Sequence, residues 1–165
     1  MENQIFLLMM KPGFLSLVGE VYNTYVKKGF TFLHGRLMKF EDDRARLFYH
    51  EHEEKNPHFE EICGYMSSGD VYPMIFRGPI KLAREVLGPT NPAKAHEGQV
   101  RAIKLIRTDI MRNISHCSDS EKSAIVEIAL TFPEKFGELF PQITKKDFAR
   151  EYDYIPEEFY PKFAA

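Results

Sequence analysis

The chain has 165 residues, with 22 lysine or arginine and 24 aspartate or glutamate residues, so its formal net charge is −2. That length supports one domain with a hydrophobic core, and the slightly acidic charge argues against a nucleic-acid-binding or membrane-surface protein. With two cysteines and no apolar stretch near the roughly 20 residues of a membrane span, the sequence excludes a disulfide framework and predicts a cytoplasmic protein.

The first 49 residues alternate between strand and helix patterns. Residues 4–10 form a continuous apolar run that ends at Lys11, which is typical of a strand buried on both faces. Residues 16–28 have apolar side chains at helical spacing and end in Lys-Lys-Gly, which predicts a helix. Residues 31–40 are rich in strand-forming residues, and the acidic residues 41–43 predict the start of another helix.

Residues 50–55 form the most charged window of the chain and contain His50 and His52. Histidines two residues apart point to different faces of a helix and do not match the HExxH spacing of zinc sites. A solvated face is therefore favoured there over a metal site. The next helix is predicted from Asn56-Pro57 to about Tyr65, and its buried side is expected to carry His58, Phe59, Ile62 and Cys63.

The following segment predicts one more strand and helix and then a long loop. Residues 71–77 read as a strand, and Pro79 stands at the favoured first position of a helix that reaches Leu87. Residues 88–112 show little periodicity, and a loop of this length inside a compact domain is usually functional.

The stretch from residue 113 to residue 128 is the strongest candidate for chemistry. Ser118, Asp119 and Ser120 are all good N-caps, so a helix is predicted over residues 120–130. His116 lies just before this helix, where the positive helix N-terminus attracts anions such as phosphate. Glu127 reaches the imidazole only if the chain folds over on itself. The alternative is an exposed turn histidine before an ordinary surface helix.

The order of these elements is that of an α+β protein of the βαββαβ kind, with helices covering an antiparallel sheet. The chain has no P-loop and no GxGxxG motif, so any phosphate must be bound by basic side chains and helix N-termini. Residues 133–165 contain five phenylalanines and three tyrosines. We expect this C-terminal extension to pack on the domain of residues 1–132 or on a partner subunit.

Four motifs in this order resemble those of nucleoside diphosphate kinases, over roughly residues 4–132. They are Lys11-Pro12 after the first strand, Tyr65-Met-Ser-Ser-Gly69, Leu87-Gly-Pro-Thr-Asn-Pro92 in the loop, and Arg112-Asn-Ile-Ser-His-Cys-Ser-Asp-Ser120. The resemblance implies a ferredoxin-like fold with a four-stranded antiparallel sheet. It also implies a ping-pong reaction in which a nucleoside triphosphate phosphorylates a histidine, which then phosphorylates a nucleoside diphosphate.

Residue roles follow from the same resemblance. His116 matches the family's nucleophile, Glu127 the carboxylate that orients it, Ser118 the supporting hydroxyl, and Lys11 the lysine that meets the terminal phosphate and the ribose. The resemblance also implies Mg²⁺ held chiefly by the nucleotide phosphates, without a dedicated set of protein ligands, and a homo-oligomer. The implied nucleotide-binding residues are Lys11, Tyr49, His58, Phe59, Ile62, Arg84, Thr90, Arg101 and Asn113.

The sequence also departs from the family pattern. His58 stands where the family stacks a phenylalanine on the base, and Cys117 replaces a glycine after the nucleophile. The motif around Arg101 is altered, and Lys104, Arg107 or Arg112 can take over its phosphate contact. One alternative function is therefore a catalytically weak or inactive nucleotide-binding or scaffold module. A further, weaker alternative is a metal site between His50 and His58.

Overall fold

The computed structural model describes residues 3–103, 109 and 111–165. An antiparallel sheet forms its centre, with the strand order β2-β4-β1-β5 and with β3 also pairing with β4. Helices cover this sheet, and the predicted ferredoxin-like α+β fold is confirmed. The strands are β1 (Ile5–Met10), β2 (Thr31–Gly35), β3 (Met38–Lys39), β4 (Asp70–Arg77) and β5 (Ser115–Cys117).

Seven α-helices connect and follow the strands in the described part of the chain. Short 3-10 turns lie at Leu15–Leu17, His50–His52, Pro92–Lys94, Val100–Ala102 and Glu157–Phe159. None of the helices in the described residues has both the length and the apolar character needed to cross a membrane. The helices are α1 (Val18–Lys27), α2 (Asp42–Phe48), α3 (Phe59–Ser67), α4 (Ile80–Leu87), α5 (Glu121–Thr131), α6 (Phe136–Leu139) and α7 (Lys145–Glu151).

Strand β1 is central and apolar on both of its faces. Leu7 and Met9 belong to one hydrophobic cluster, together with residues of α2, α3 and α5. Phe6, Leu8 and Met10 belong to a second cluster, together with residues of α1 and α4. Because successive side chains of a strand point to opposite faces, burial on both sides requires the continuous apolar run seen in the sequence.

The strand predicted over residues 31–40 is divided into β2 and β3. Arg36 lies between them, opposite Pro73 of β4, and its N–H donates to the Pro73 carbonyl over 3.3 Å. Pro73 has no N–H to return to Arg36, so the ladder is interrupted at that pair. A bulge between Phe32 and His34 adds to the irregularity of this edge strand.

Two helix starts also differ from their predictions. Helix α3 begins at Phe59, later than the predicted Asn56-Pro57, because the Asn56 side chain accepts a hydrogen bond from the His58 N–H over 2.9 Å and forms a turn there. Helix α4 begins at Ile80, with Pro79 in extended conformation as its N-cap.

The aromatic C-terminal segment folds back on the protein. Phe136, Phe148 and Tyr152 are buried in the same cluster as Leu7 of β1. Tyr152 also donates its hydroxyl hydrogen to the Lys122 carbonyl of α5 over 2.8 Å. The end of the chain returns to the start of the segment, where Lys162 N–H donates to the Pro133 carbonyl over 2.9 Å. Helix α5 is therefore covered by this segment on its outer side.

Candidate active site

A cleft of about 560 Å³ opens beside β5, between α3, α4 and the loop that follows α4. It brings together residues that are far apart in the sequence and come from several different elements and loops. The predicted site residues that line it are Lys11, Tyr49, His58, Ile62, Arg84, Thr90, Arg101, Asn113 and His116.

His116 is held by a buried carboxylate. It lies in β5 opposite Met9 of β1, and α5 then folds back so that Glu127 Oε1 lies 2.8 Å from His116 Nε2. Glu127 is 5 % exposed and also accepts a hydrogen bond from Ser118 Oγ at 2.5 Å. A carboxylate accepts hydrogen bonds, so Nε2 carries the proton and Nδ1 keeps its lone pair.

Ser118 supports this arrangement instead of capping a helix. Its hydroxyl accepts the Leu7 N–H over 2.9 Å, which ties it to the central strand. The cap of α5 is Ser120, which exchanges side-chain and backbone hydrogen bonds with Ser123, both 3.1 Å long. Of the three residues predicted as N-caps, Ser118 therefore belongs to the site and Ser120 caps α5.

Three cationic side chains form the inner end of the cleft. Arg84 donates to the Cys117 carbonyl over 3.1 Å, and Arg101 donates to the carbonyls of Gly88 and Ser115, each over 3.0 Å. Lys11 donates to the Met111 carbonyl over 3.1 Å. These hydrogen bonds hold the three cations in the cleft that His116 also lines, and such a group of cations suits a polyphosphate.

Burial changes the acid–base properties of two of these cations. Desolvation and then the charge of Arg101 lower the pKa of Lys11, the charge of Asp109 partly opposes them, and the resulting pKa is about 7. Desolvation and then the charge of Arg84 lower the pKa of Arg101 to about 10. Arg101 therefore stays charged at neutral pH, whereas Lys11 titrates there.

Because the motif around Arg101 is altered, the sequence did not decide whether Arg101 or another basic residue makes the phosphate contact. Arg101 is 8 % exposed and lines the cleft. Arg112 instead places its guanidinium 6.0 Å from the centre of the Tyr65 ring. Lys104 and Arg107 lie outside the described residues.

The walls of the cleft are formed by Tyr49 and the loop after α4. The Tyr49 ring centre lies 6.2 Å from that of His116, and its buried hydroxyl has no hydrogen-bond partner in the described part of the chain. Desolvation raises the pKa of Tyr49 well above its ordinary value, so it remains a donor. Asn113 is 1 % exposed and donates to the Thr90 carbonyl over 3.2 Å.

The outer end of the cleft differs from the expectation for α3. His58 was expected on the buried side of the helix, but it is exposed and lies at the mouth of the cleft. Phe59 takes the buried direction and packs in the core, so it does not line the cleft. Ile62 forms an apolar wall one turn further along.

The histidines at residues 50–58 do not gather around a common point. His50 stacks on Tyr154 with ring centres 4.0 Å apart, while His52 lines the cleft. Within residues 3–103, 109 and 111–165, no group of three or more His, Cys, Asp or Glu side chains is arranged to hold a metal ion.

Sequence reasoning missed several residues of the cleft. Glu61 and Tyr65 line it from α3. They follow His58 by three and seven residues, and this spacing predicts that the three side chains lie on one face of the helix. No periodic pattern in the sequence predicts Asp109, because it reaches the cleft from the long loop. Its carboxylate accepts hydrogen bonds from the N–H groups of Met111 and Arg112, over 2.9 and 2.6 Å.

Cys117 is a strand residue and not a turn residue. It pairs with Leu8 of β1, so its backbone is extended and accommodates a side chain where the family has glycine. The thiol is 2 % exposed, and burial raises its pKa to about 12. It therefore packs as a small buried side chain.

Known proteins resemble this chain in sequence and in fold. The sequence model of nucleoside diphosphate kinase matches residues 4–136. A nucleoside diphosphate kinase of Carboxydothermus hydrogenoformans is 40 % identical over 132 residues, which cover 78 % of this chain and 87 % of that protein. One of Listeria innocua is 40 % identical over 129 residues, covering 76 % and 86 %.

Solved structures agree with these sequence relatives. The Aquifex aeolicus nucleoside diphosphate kinase superimposes with a TM-score of 0.73 at 30 % identity, covering 79 % of this chain and 96 % of that one. The Halobacterium salinarum enzyme in complex with CDP gives a TM-score of 0.72 at 27 % identity, covering 79 % and 88 %. The chain therefore belongs to the nucleoside diphosphate kinase family.

Proposed function

We propose that the protein is a nucleoside diphosphate kinase that transfers the terminal phosphate of a nucleoside triphosphate to a nucleoside diphosphate through phospho-His116. The observation that carries this proposal is the 2.8 Å contact between His116 Nε2 and Glu127 Oε1. It leaves Nδ1 as the basic nitrogen of an imidazole that lines a cationic cleft. A neutral imidazole is a good nucleophile, and phosphoryl transfer mainly requires positioning and charge stabilisation.

In the first half-reaction, the Nδ1 lone pair forms a bond to the terminal phosphorus. The bond from that phosphorus to the bridging oxygen breaks, and its electron pair leaves with the diphosphate. Lys11, Arg84 and Arg101 stabilise the charge that develops on the phosphate oxygens. In the second half-reaction, a terminal oxygen of the acceptor diphosphate attacks the phosphorus, and the N–P bond electrons return to His116.

Magnesium enters this reaction as part of the nucleotide substrate. The inner cleft has cationic side chains, and no carboxylate or histidine cluster for a metal ion occurs in the described ranges. Mg²⁺ is commonly bound through substrate phosphates with few protein ligands. The residues present therefore fit a Mg²⁺-nucleotide complex held by Lys11, Arg84 and Arg101.

The alternative of an inactive binding module is not favoured. A module that only binds nucleotide has no use for the buried carboxylate of Glu127, which is bonded to both His116 and Ser118. Burying a charge is costly unless it is fully hydrogen-bonded, so this arrangement supports a role in catalysis.

The test is formation of the phosphohistidine. The protein is incubated with ATP and Mg²⁺ and examined by intact mass for an acid-labile phosphate, in the wild type, in His116→Ala and in His96→Ala. His96 is an exposed histidine outside the cleft and serves as the matched control. Labelling that only His116→Ala abolishes is expected. An unlabelled wild type, beside a fully labelled control kinase, would overturn the proposal.

We further propose that the protein is cytoplasmic and forms a homo-oligomer. Both cysteines are free and buried, which suits a reducing compartment. Strand β2 is at the end of the sheet order, and Leu37 beside it is 56 % exposed, which supports association of copies at this edge. Light scattering after size-exclusion chromatography measures the assembly, and a monomer at working concentration contradicts it.

A further inference from the structure

The two ends of the cleft differ in burial and charge. The inner end carries Lys11 and Arg101, which are 9 % and 8 % exposed. The outer end carries His58 and Glu61, whose side chains are 61 % and 65 % exposed. A nucleotide that places its phosphates among the inner cations therefore leaves its base at the outer end, beside the apolar wall of Ile62.

Glu61 brings a carboxylate to this outer end. Its Oε1 lies 3.4 Å from His58 Nδ1, which keeps the two side chains together at the mouth of the cleft. Its Oε2 has no hydrogen-bond partner in the ranges that the structure describes. Neighbouring Glu60 is different, because Arg46 binds both of its oxygens, at 2.8 and 2.5 Å, and it does not line the cleft.

A carboxylate distinguishes nucleobases by the donors that they present. It has two oxygens with about four lone-pair sites and can accept two parallel N–H bonds. Guanine offers N1–H and N2–H side by side, whereas adenine and cytosine offer one amino group. Uracil and thymine have one ring N–H between two carbonyl oxygens, and those oxygens repel a carboxylate.

We infer that Glu61 is a specificity-determining residue that favours guanine nucleotides over uracil and thymine nucleotides at this site. The inference rests on the proposed function, because it places the base at the mouth of the cleft. One hydrogen bond to a charged but exposed group corresponds to about 3- to 10-fold in kcat/KM. The preference is expected mainly in KM, because the base is distant from the reacting phosphorus.

The experiment compares kcat/KM for GDP, ADP, CDP and UDP as acceptors in the wild type, Glu61→Ala and Glu60→Gln. The wild type is expected to prefer GDP to UDP by about 3- to 10-fold, and Glu61→Ala to lose that preference through KM. Glu60→Gln, the control on the same helix, is expected to keep it. An unchanged GDP/UDP ratio in Glu61→Ala, or an equal loss in Glu60→Gln, would overturn the inference.

Calorimetric binding of GDP and UDP separates this inference from the proposed function. A protein without transferase activity that still binds GDP more tightly, in a Glu61-dependent manner, overturns the proposed function alone. Equal affinity for GDP and UDP overturns the inference, whatever the transferase activity. Glu61 is exposed, so its replacement is expected to leave the thermal midpoint unchanged.

Discussion

The buried carboxylate of Glu127 offers the sharpest test of how His116 is activated. In Glu127→Gln, the amide oxygen can still accept the His116 Nε2–H, while the amide nitrogen faces Ser118 Oγ. Ser118 then turns its hydroxyl hydrogen to the Leu7 carbonyl, which already lies 3.4 Å away. The substitution therefore removes the charge and keeps the shape and the number of hydrogen bonds.

The expected loss of rate follows from the contact distances. Replacing a charge-assisted hydrogen bond by a neutral one costs about 1 to 1.5 kcal/mol. The ring also gains positive charge as Nδ1 bonds to phosphorus, and the carboxylate, whose Oε1 lies 2.8 Å from Nε2, stabilises that charge as well. We expect phosphoenzyme formation to slow by about 10- to 100-fold.

The assay is single-turnover phosphorylation of the enzyme by Mg²⁺-ATP, quenched and read by intact mass, alongside thermal unfolding. Glu121→Gln is the matched control, because Glu121 is an exposed glutamate of the same helix. A Glu127→Gln rate within about two-fold of the wild type, with an unchanged thermal midpoint, would refute the role of the carboxylate charge.

Three further predictions follow from the same contacts. Phosphate binding stabilises charged Lys11, whose pKa is about 7 in the free protein. ADP binding at pH 8 should therefore take up protons, and the affinity should weaken as pH rises. Lys11→Met should remove both effects, as measured by calorimetry. Tyr154 stacks on His50, which follows Tyr49 of the cleft wall. Tyr154→Ala should therefore raise the nucleotide KM by about 2- to 10-fold while Tyr154→Phe does not, and equal effects would contradict this positioning role. Cys117 should resist a thiol reagent in the native protein and react after denaturation, since burial holds its pKa at about 12; native labelling would disprove this.

The sign of the Lys11 effect on stability can be measured separately. The unfolded chain binds a proton at Lys11 up to a pKa of about 10.5, whereas the folded protein releases it near 7. Between these values the unfolded state binds more protons, so the free energy of unfolding rises with pH. Lys11→Met is expected to remove this contribution, and an unchanged pH slope would contradict it.

Local chemistry made most of the fold predictable. The apolar run of β1, the helical spacing of α1 and the acidic start of α2 are each typical of one type of element. The predictions erred where a neighbour decided the outcome. Pro73 of β4 interrupts the pairing of Arg36, and the Asn56 side chain delays the start of α3. Both effects depend on a partner that periodicity does not report.

The sequence by itself determined the family and the identity of the candidate nucleophile, because motifs in one order place His116 beside a capped helix. Only the tertiary structure decided how these residues act together. It brought Glu127 to within 2.8 Å of the imidazole by folding α5 back on β1. It also turned Phe59 into the core and left His58 and Glu61 at the mouth of the cleft. Side-chain direction and burial depend on packing across the sheet, and a linear pattern does not contain that information.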